Sequence, residues 1–370
     1  MSEGDELTDL RNAIAEVDQA LLELLHRRLE LAAAVGRTKA ETGAPIVVRD
    51  VEDRIYTRAR HHATACGVSE EVMEAIFSAI IRGSVERQHR VGVALRAKRG
   101  GRVLIIGGAG AMGSWFANFL HLVGHQVAAV DPAWKGHPRA PGRHAELEEL
   151  TDLDSFDFVI IAVPLASTPS LIERVAARRP RGVIVEIASI KAHLAGALAD
   201  ARKAGVSVSS LHPMFGPGRS PYEPLTFVLG LHEDEQVERK RIEGLLQHPY
   251  THVVTMPFSH HDKLMGWLLG LAHLSSMLFG AALAHSGLPP SELEECASTT
   301  FRRQADTSLS VLSEDPELYL DIQRLNPHRH EVYEAARAAL EELVDLVRRE
   351  DREGFRETLA LARKALTTEE

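Results

Sequence analysis

The chain has 370 residues, 52 acidic against 42 basic, giving a formal charge of −10 and a pI near 6.0. That acidity excludes a nucleic-acid groove or an anionic membrane surface as the main partner, and 45 % hydrophobic with 25 % charged residues describes a globular chain of about two to three domains. Cys66 and Cys296 are too few for a disulfide framework and lack metal-type spacing, and the acidic, amphipathic N-terminus does not read as a secretory or transit signal, so a reducing cytoplasm is the expected compartment.

Residues 5 to 90 read as helical throughout. Leu7, Leu10, Ile14, Val17, Leu21 and Leu24 alternate in steps of three and four, a heptad seam that runs on loosely to Val35. Gly43 and Pro45 should end this helix. A second helix is expected from about Val51 to Ala65, and a third from Ser69, a candidate N-cap with Glu70 and Glu71 behind it, to about Val91. A first helix spanning roughly 50 Å cannot close a compact core with two others, so the segment is expected to pair with a second copy.

A basic linker at 92–102 follows, and then strand alternates with helix. Apolar runs at Val103–Ile106, Val127–Val130, Phe158–Val163 and Val183–Ile187, with a weaker one at Val206–Ser210, predict a parallel sheet covered by helices. Pro132–Arg143 reads as a surface loop. From about residue 234 the pattern is helical to the end, in four or five helices. Among them Leu264–Ala284, about 21 residues without a formal charge, is long enough to span a bilayer. It also holds His273, Ser275 and Ser276 and lacks flanking positive charge, so a helix buried in a core or a subunit interface is expected instead.

The run from Val103 to Gly113 contains GxGxxG at Gly108, Gly110 and Gly113, between a strand and the start of a helix, which is the context a dinucleotide site needs. Gly108 is assigned the tight turn, Gly110 the close approach of the pyrophosphate, and Gly113 the helix–strand contact. The helix N-terminus, with Met112 in its first turn, offers N–H groups to the phosphates. Asp131, 23 residues after Gly108, ends the next strand. Its carboxylate suits ribose hydroxyls and repels a 2′-phosphate, which favours NAD; Arg139 and Arg143 in the following loop are the features that favour NADP.

Ligands of doubly wound sheets lie outside the carboxyl ends of the strands. His212, expected just after the strand at 206–210 and followed by Pro213, is the best general-base candidate among 19 histidines. Ser189 and Lys191, after the strand at 183–187, suit a substrate anion or the nicotinamide. Arg302 or Arg303 can clamp a carboxylate. His260, His261 and Asp262 lack further ligands at metal spacing, and no metal is expected.

The helical segment carries its own polar set. Arg28 and Lys39 are 11 residues apart, about 20° out of phase, so they share a helix face roughly 16 Å apart and can bracket a small dianion. Arg11 lies about 100° from Arg28 around the helix and can join only from a partner subunit. Ser84 and Gln88 share a face of the third helix, and Glu52 opens the second.

These two halves together resemble the bifunctional chorismate mutase–prephenate dehydrogenase family of bacterial tyrosine biosynthesis. The carrying residues are LRNAI at Arg11, LLHRRLEL at Arg28, AVGRTK at Lys39, IRGSVERQ with Ser84 and Gln88, then GGAGAMG, VDP, IAVP, ASIK, LHPMFGP, HDKLMGWL and FRRQADTS. LHPMFGP is the most specific of them. The resemblance implies an all-helical mutase domain (1–92), an NAD-binding Rossmann domain (100–232) and an all-helical substrate-binding and dimerisation domain (233–370).

It implies that Arg11 (from the partner chain) and Arg28 hold the carboxylates of chorismate, Lys39 and Gln88 its ether oxygen, and Glu52 and Ser84 the remaining polar groups. Prephenate would then be oxidised with NAD, with His212 on the ring hydroxyl, Arg302 rather than Arg303 on the ring carboxylate, and Lys191 with Ser189 supporting. The resemblance also raises inhibition by tyrosine, which nothing in the residues reports. The chain departs from the family at Val51, before Glu52, and at Val48, where arginine and aspartate are usual, and at Ala192 and Leu269. Two other readings stay open: an arogenate dehydrogenase or related reductase with a degenerate mutase domain, and a dehydrogenase whose N-terminal helices serve only as a dimerisation or regulatory module.

Overall fold

The computed structural model describes residues 3–42, 44, 49–96, 100–136, 142–248 and 250–367. Three helices come first: α1 (Glu3–Thr42), α2 (Arg49–Cys66) and α3 (Glu70–Arg96). Ser69 caps α3 by accepting from the Val72 amide at 3.2 Å. The third helix runs past the expected Val91, so the first part of the basic linker is helical; Gly43 and Pro45, the expected stops of α1, lie outside the described residues. Small and branched residues pack the three together: Ala32 and Ala33 on α1, Ala59 and Ala63 on α2, Ile81 and Val85 on α3 are buried. The heptad seam is not part of that core, since Leu7, Leu10, Ile14, Val17, Leu21 and Leu24 are all exposed in the single chain.

The chain next builds β1 (Arg102–Ile106), α4 (Ala111–Leu122), β2 (Gln126–Val130), β3 (Arg143–His144), β4 (Phe158–Ile161), α5 (Thr168–Ala177), β5 (Val183–Glu186), α6 (Ala195–Lys203), β6 (Val208–Pro213), β7 (Leu225–Leu231), α7 (Glu235–Leu245) and β8 (Thr251–Pro257). The strands form one sheet in the order β3-β2-β1-β4-β5-β6-β7-β8. Pairing is parallel from β3 to β6, and β6–β7 is antiparallel. The short, uninterrupted apolar runs are buried on both faces, as parallel strands require. Their core joins Val103, Ile105 and Ile160 of the sheet to Phe116 and Phe119 of α4 and Ile242 of α7.

Four expectations are corrected here. Arg143, read as loop, pairs with Ala129 as a short strand. β6 continues through Pro213, because Leu211, His212 and Pro213 pair with β7, so His212 lies inside the strand's last residues and not after it. β7 and β8 were not anticipated; β8, at the end of the strand order, shows only partial burial along its length and lacks the strong apolar run of a central strand. The helical region also begins with this strand in it and, after β8, holds more helices than expected: α8 (Phe258–Met265), a π-helical segment (Gly266–Leu271), α9 (Ala272–Ala284), α10 (Pro290–Glu295), α11 (Thr299–Leu312), α12 (Pro316–Leu325), α13 (Arg329–Arg348) and α14 (Arg352–Leu366).

By contacts the chain divides into two units. One comprises Met1–Val163, Arg174–Ile187 and Ala201–Thr255; the other comprises Pro164–Glu173, Ala188–Asp200 and Met256–Glu370. In the second unit α9 packs on α11, and α13 on the π-helical segment. The continuous helix Phe258–Ala284 is long and apolar enough to cross a membrane, yet little of it is buried in the single chain. It is therefore not the buried core helix of one chain.

Candidate active sites

The first site is built by α1, α2 and α3. The Arg28 guanidinium donates to the Ile80 carbonyl at 3.0 Å and to the Ser84 hydroxyl, which itself donates to Ile80 O at 2.9 Å. Arg28 is half-buried, and burial lowers its pKa. Lys39, on the same face of α1, is also pulled down by burial, with the Glu52 carboxylate opposing that shift, so Lys39 and Glu52 are electrostatic neighbours.

Gly36 is what lets Gln88 join them. A Cβ on Gly36 would stand 2.7 Å from Gln88 Cα and 2.8 Å from its carbonyl oxygen, so α1 and α3 touch backbone to backbone there. The Gln88 side-chain oxygen is buried and has no hydrogen-bond partner among the described residues. An orphaned buried amide at the close contact of α1 and α3, one turn of α1 from Lys39, suits a polar ligand. The structure thus gathers Arg28, Ser84, Lys39, Glu52 and Gln88. It leaves Arg11 out: that residue is exposed on α1 and about 26 Å from Arg28 along the axis. Val51 is exposed, and Val48 lies outside the described residues. Sequence reasoning missed Gly36, whose signal was a glycine inside an alanine-rich helix, a position that costs about 1 kcal/mol unless close packing needs it.

The second site begins at the end of β1. The left-handed turn is at Gly107, with φ +92°, and not at Gly108 as expected. A Cβ on Gly107 would meet Ala162 O, at the end of β4, at 2.1 Å, and one on Gly113 would meet Gly107 O at 2.0 Å. Gly108 faces Ala129 on β2, 2.5 Å from the place a Cβ would occupy. The strand order reverses between β1's neighbours β2 and β4, so this turn sits at the topological switch point. Gly110 is the N-cap of α4 and no side chain caps that end, leaving the first-turn amides, including those of Met112 and Gly113, for an anion.

Asp131 is fixed beside the turn: one carboxylate oxygen accepts from the Ala109 amide at 2.9 Å and the other from Ala133 at 2.9 Å. Each oxygen keeps a lone pair for a ribose hydroxyl. Arg143 lies over the Trp134 ring at 5.3 Å, and Arg139 lies outside the described residues. A side-chain-free cradle with a carboxylate at its far edge fits NAD.

His212 is 3 % exposed and stands opposite Val228 at the carboxyl end of β6, on the same edge of the sheet as Gly107. The segment after it is fastened to α4: Phe215 packs on Trp115 at 4.8 Å, and the Trp115 indole donates to Arg219 O at 2.7 Å. The segment that follows His212 and the helix opened by the glycine turn are therefore held together by that ring contact and that hydrogen bond.

In the second unit, the backbone N–H groups of Lys191 and Ala192 donate to the Asp262 carboxylate at 2.8 and 2.7 Å. His261 Nδ1 lies 2.8 Å from the same carboxylate, and the Asn326 amide donates to Asp262 O at 2.8 Å. Burial would raise the Asp262 pKa, but the His261 contact and the two amides outweigh it and hold the carboxyl below its ordinary range. The pair at 261–262 is thus a clamp for the turn that carries Lys191, whose side chain is fully buried, and Ser189, which is half-buried. Arg302 and Arg303 are both exposed on α11, and Arg302 donates to Glu294 O on α10 at 2.8 Å.

Residues 10–89 match the family described as chorismate mutase type II, residues 121–229 the nucleotide-binding domain of prephenate dehydrogenase, and residues 257–361 its dimerization domain. A T-protein from Enterobacter agglomerans is 30 % identical over 322 residues, 86 % of this chain and 81 % of that protein. The chain belongs to the T-protein family. A second T-protein, from Haemophilus influenzae, is 25 % identical over 96 % of this chain and 91 % of its own length. The crystal structure of prephenate dehydrogenase from A. aeolicus in complex with hydroxyphenyl propionate and NAD+ shares the fold, with a TM-score of 0.59 at 20 % identity over 72 % of this chain and 96 % of that one. T-proteins are bifunctional chorismate mutase/prephenate dehydrogenases; this chain is an enzyme with both activities, and NAD is its cofactor.

Proposed function

We propose how the residues divide the two reactions. In residues 1–92 chorismate rearranges to prephenate. The step is pericyclic, so no acid, base or covalent group is needed, and catalysis consists of holding the compact diaxial conformer and stabilising charge on the ether oxygen. Arg28, positioned by Ser84, and Arg11 of a second copy hold the two carboxylates. Lys39 and Gln88 face the ether oxygen, and Glu52 sets Lys39. The exposed heptad seam of α1 and the exposed apolar helix Phe258–Ala284 are the surfaces a second copy covers, which makes the enzyme a homodimer of the cytoplasm.

In residues 100–232 and 233–370 prephenate is oxidised and decarboxylated to 4-hydroxyphenylpyruvate and CO2. Gly107, Gly108, Gly110, Met112, Gly113 and Asp131 hold NAD, which supplies the hydride acceptor when bound. His212 takes the ring-hydroxyl proton as hydride leaves the same carbon, and the forming ketone draws the electrons released as CO2 departs. His212 then returns its proton to the phenolate oxygen, so the proton count closes. Arg302 holds the ring carboxylate, with Lys191 and Ser189 in support.

The observation that carries this reading is that one chain builds two separate sites: a cationic pocket with an orphaned amide among three helices, and a glycine cradle with His212 on the same sheet edge. Chorismate disappearance and prephenate-dependent NADH formation, measured separately on the purified chain, test it. Loss of either activity removes the corresponding half.

A further inference from the structure

The loop between β6 and β7, residues 214–224, begins directly after the strand that carries His212. Pro217, Pro221 and Pro224 donate no backbone hydrogen bond, so the loop cannot extend the ladder and needs side chains to hold it. Its backbone makes two short turns, with the Arg219 amide donating to Gly216 O at 3.0 Å and the Glu223 amide to Ser220 O at 3.2 Å. Side chains then tie it down on two sides. Toward the dinucleotide cradle, the Arg219 carbonyl accepts from the Trp115 indole of α4, and Phe215 packs on the same ring. Toward the N-terminal helices, the Glu223 carboxylate accepts from the Arg82 guanidinium of α3 at 2.6 Å. The other oxygen of that carboxylate lies 3.2 Å from Arg219 Nε. One carboxylate thus joins two guanidinium groups, and an unbroken chain of contacts runs from α3 through Glu223 and Arg219 to α4.

A lone exposed ion pair shifts an equilibrium by at most about fivefold. Here the carboxylate is shared, its side chain is 26 % exposed against 45 % for Arg82, and one of its two partners is also fixed through its carbonyl, so the group acts as a network. We propose that Arg82, a residue of the mutase domain, is a positioning residue of the dehydrogenase: through Glu223 it fixes the loop that follows His212, at the carboxyl end of β6, where ligands of such sheets lie. Arg82 does not serve the mutase pocket. It stands two residues before Ser84, about 200° away around α3, and so faces away from Arg28. The proposal rests on the reading that His212 is the base of the dehydrogenase site. It gives the N-terminal helices a second task besides their own reaction, as a brace for the prephenate site.

The test is Arg82→Met in the full-length chain, which removes the charge and keeps an unbranched stem. KM for prephenate should rise about five- to tenfold. The dehydrogenase kcat, the affinity for NAD and chorismate turnover should stay close to those of the parent. Arg82→Lys, which keeps the charge, should recover most of the loss. Glu223→Gln should act on the same KM, and its effect should be less than additive with Arg82→Met. In about 0.5 M salt, which screens the pair, the parent's KM should approach that of Arg82→Met. A parent-like KM for prephenate in Arg82→Met overturns the proposal. So do additive effects in the double variant, no recovery at all in Arg82→Lys, or equal losses of both activities, which would mark a purely structural role. His212→Asn is run beside them. If it keeps its turnover, the reading of the dehydrogenase site fails and takes the proposal with it. If His212→Asn is slow and Arg82→Met is parent-like, only the brace fails.

Discussion

The backbone of α1 at Gly36 rests against the backbone of α3 at Gln88, with no room for even a methyl group: a Cβ at position 36 would lie 2.7 Å from Gln88 Cα. The contact places Gln88 level with Gly36, about one turn of α1 before Lys39. By helix propensity alone Gly36→Ala should stabilise α1 by about 1 kcal/mol. The contact predicts the reverse. Gly36→Ala should push the helices apart and lower chorismate turnover at least about tenfold, while prephenate-dependent NADH formation is kept. A variant with parent-like mutase activity would show that the close approach is not needed.

Lys39→Ala removes the cation proposed to face the ether oxygen. The expected loss in mutase kcat is about 10²-fold or more, read by chorismate consumption in the presence of saturating substrate. The oxidation of prephenate by the same preparation should be unaffected.

His212→Asn keeps a polar side chain at the end of β6 and removes the base. The dehydrogenase rate should fall by about 10²–10⁴. The affinity for NAD should hold, because the cradle of Gly107, Gly108 and Gly113 and the Asp131 carboxylate do not depend on position 212. Tight NAD binding with little turnover, measured by fluorescence titration and by initial rates, is the expected pair of results.

Asp262→Asn tests the clamp beneath Lys191. The change removes the charge that the Lys191 and Ala192 amides and His261 converge on. It should cost about 1–3 kcal/mol in urea unfolding near neutral pH. Because the native carboxyl is held below its ordinary range, its contribution is fully present above about pH 4, the unfolded carboxyl's value, and is lost as pH falls through the lower native one. The stability curves of parent and variant should therefore converge as the solution is acidified. A constant gap would mean that charge is not what the clamp uses.

Much of both sites was legible because helix and strand periods are short-range geometry. Arg28 with Lys39 and Ser84 with Gln88 follow from residues that share a face at 100° per residue, and the structure joins those two faces. The GxGxxG spacing located the cradle, but the left-handed residue is Gly107, one position earlier than expected. Nothing in the pattern distinguishes adjacent glycines until the strand's last pair, Ile106 with Ile161, fixes where the turn must begin. The edge strand β8 carries only partial burial, too weak a pattern to read. The clamp role of Asp262 escaped because its partner Lys191 is 71 residues away, a contact that no local period encodes. Arg11 stands apart for a different reason: its proposed partner residues belong to a second copy.

The central claim is that one chain performs both reactions, and it is tested most directly by supplying purified protein with chorismate and NAD and no prephenate. NADH should appear after a lag while prephenate accumulates. The Lys39→Ala variant should lose this signal from chorismate but keep it when prephenate is added, and His212→Asn should consume chorismate without forming NADH. A parent enzyme that makes NADH from prephenate but none from chorismate would contradict the account.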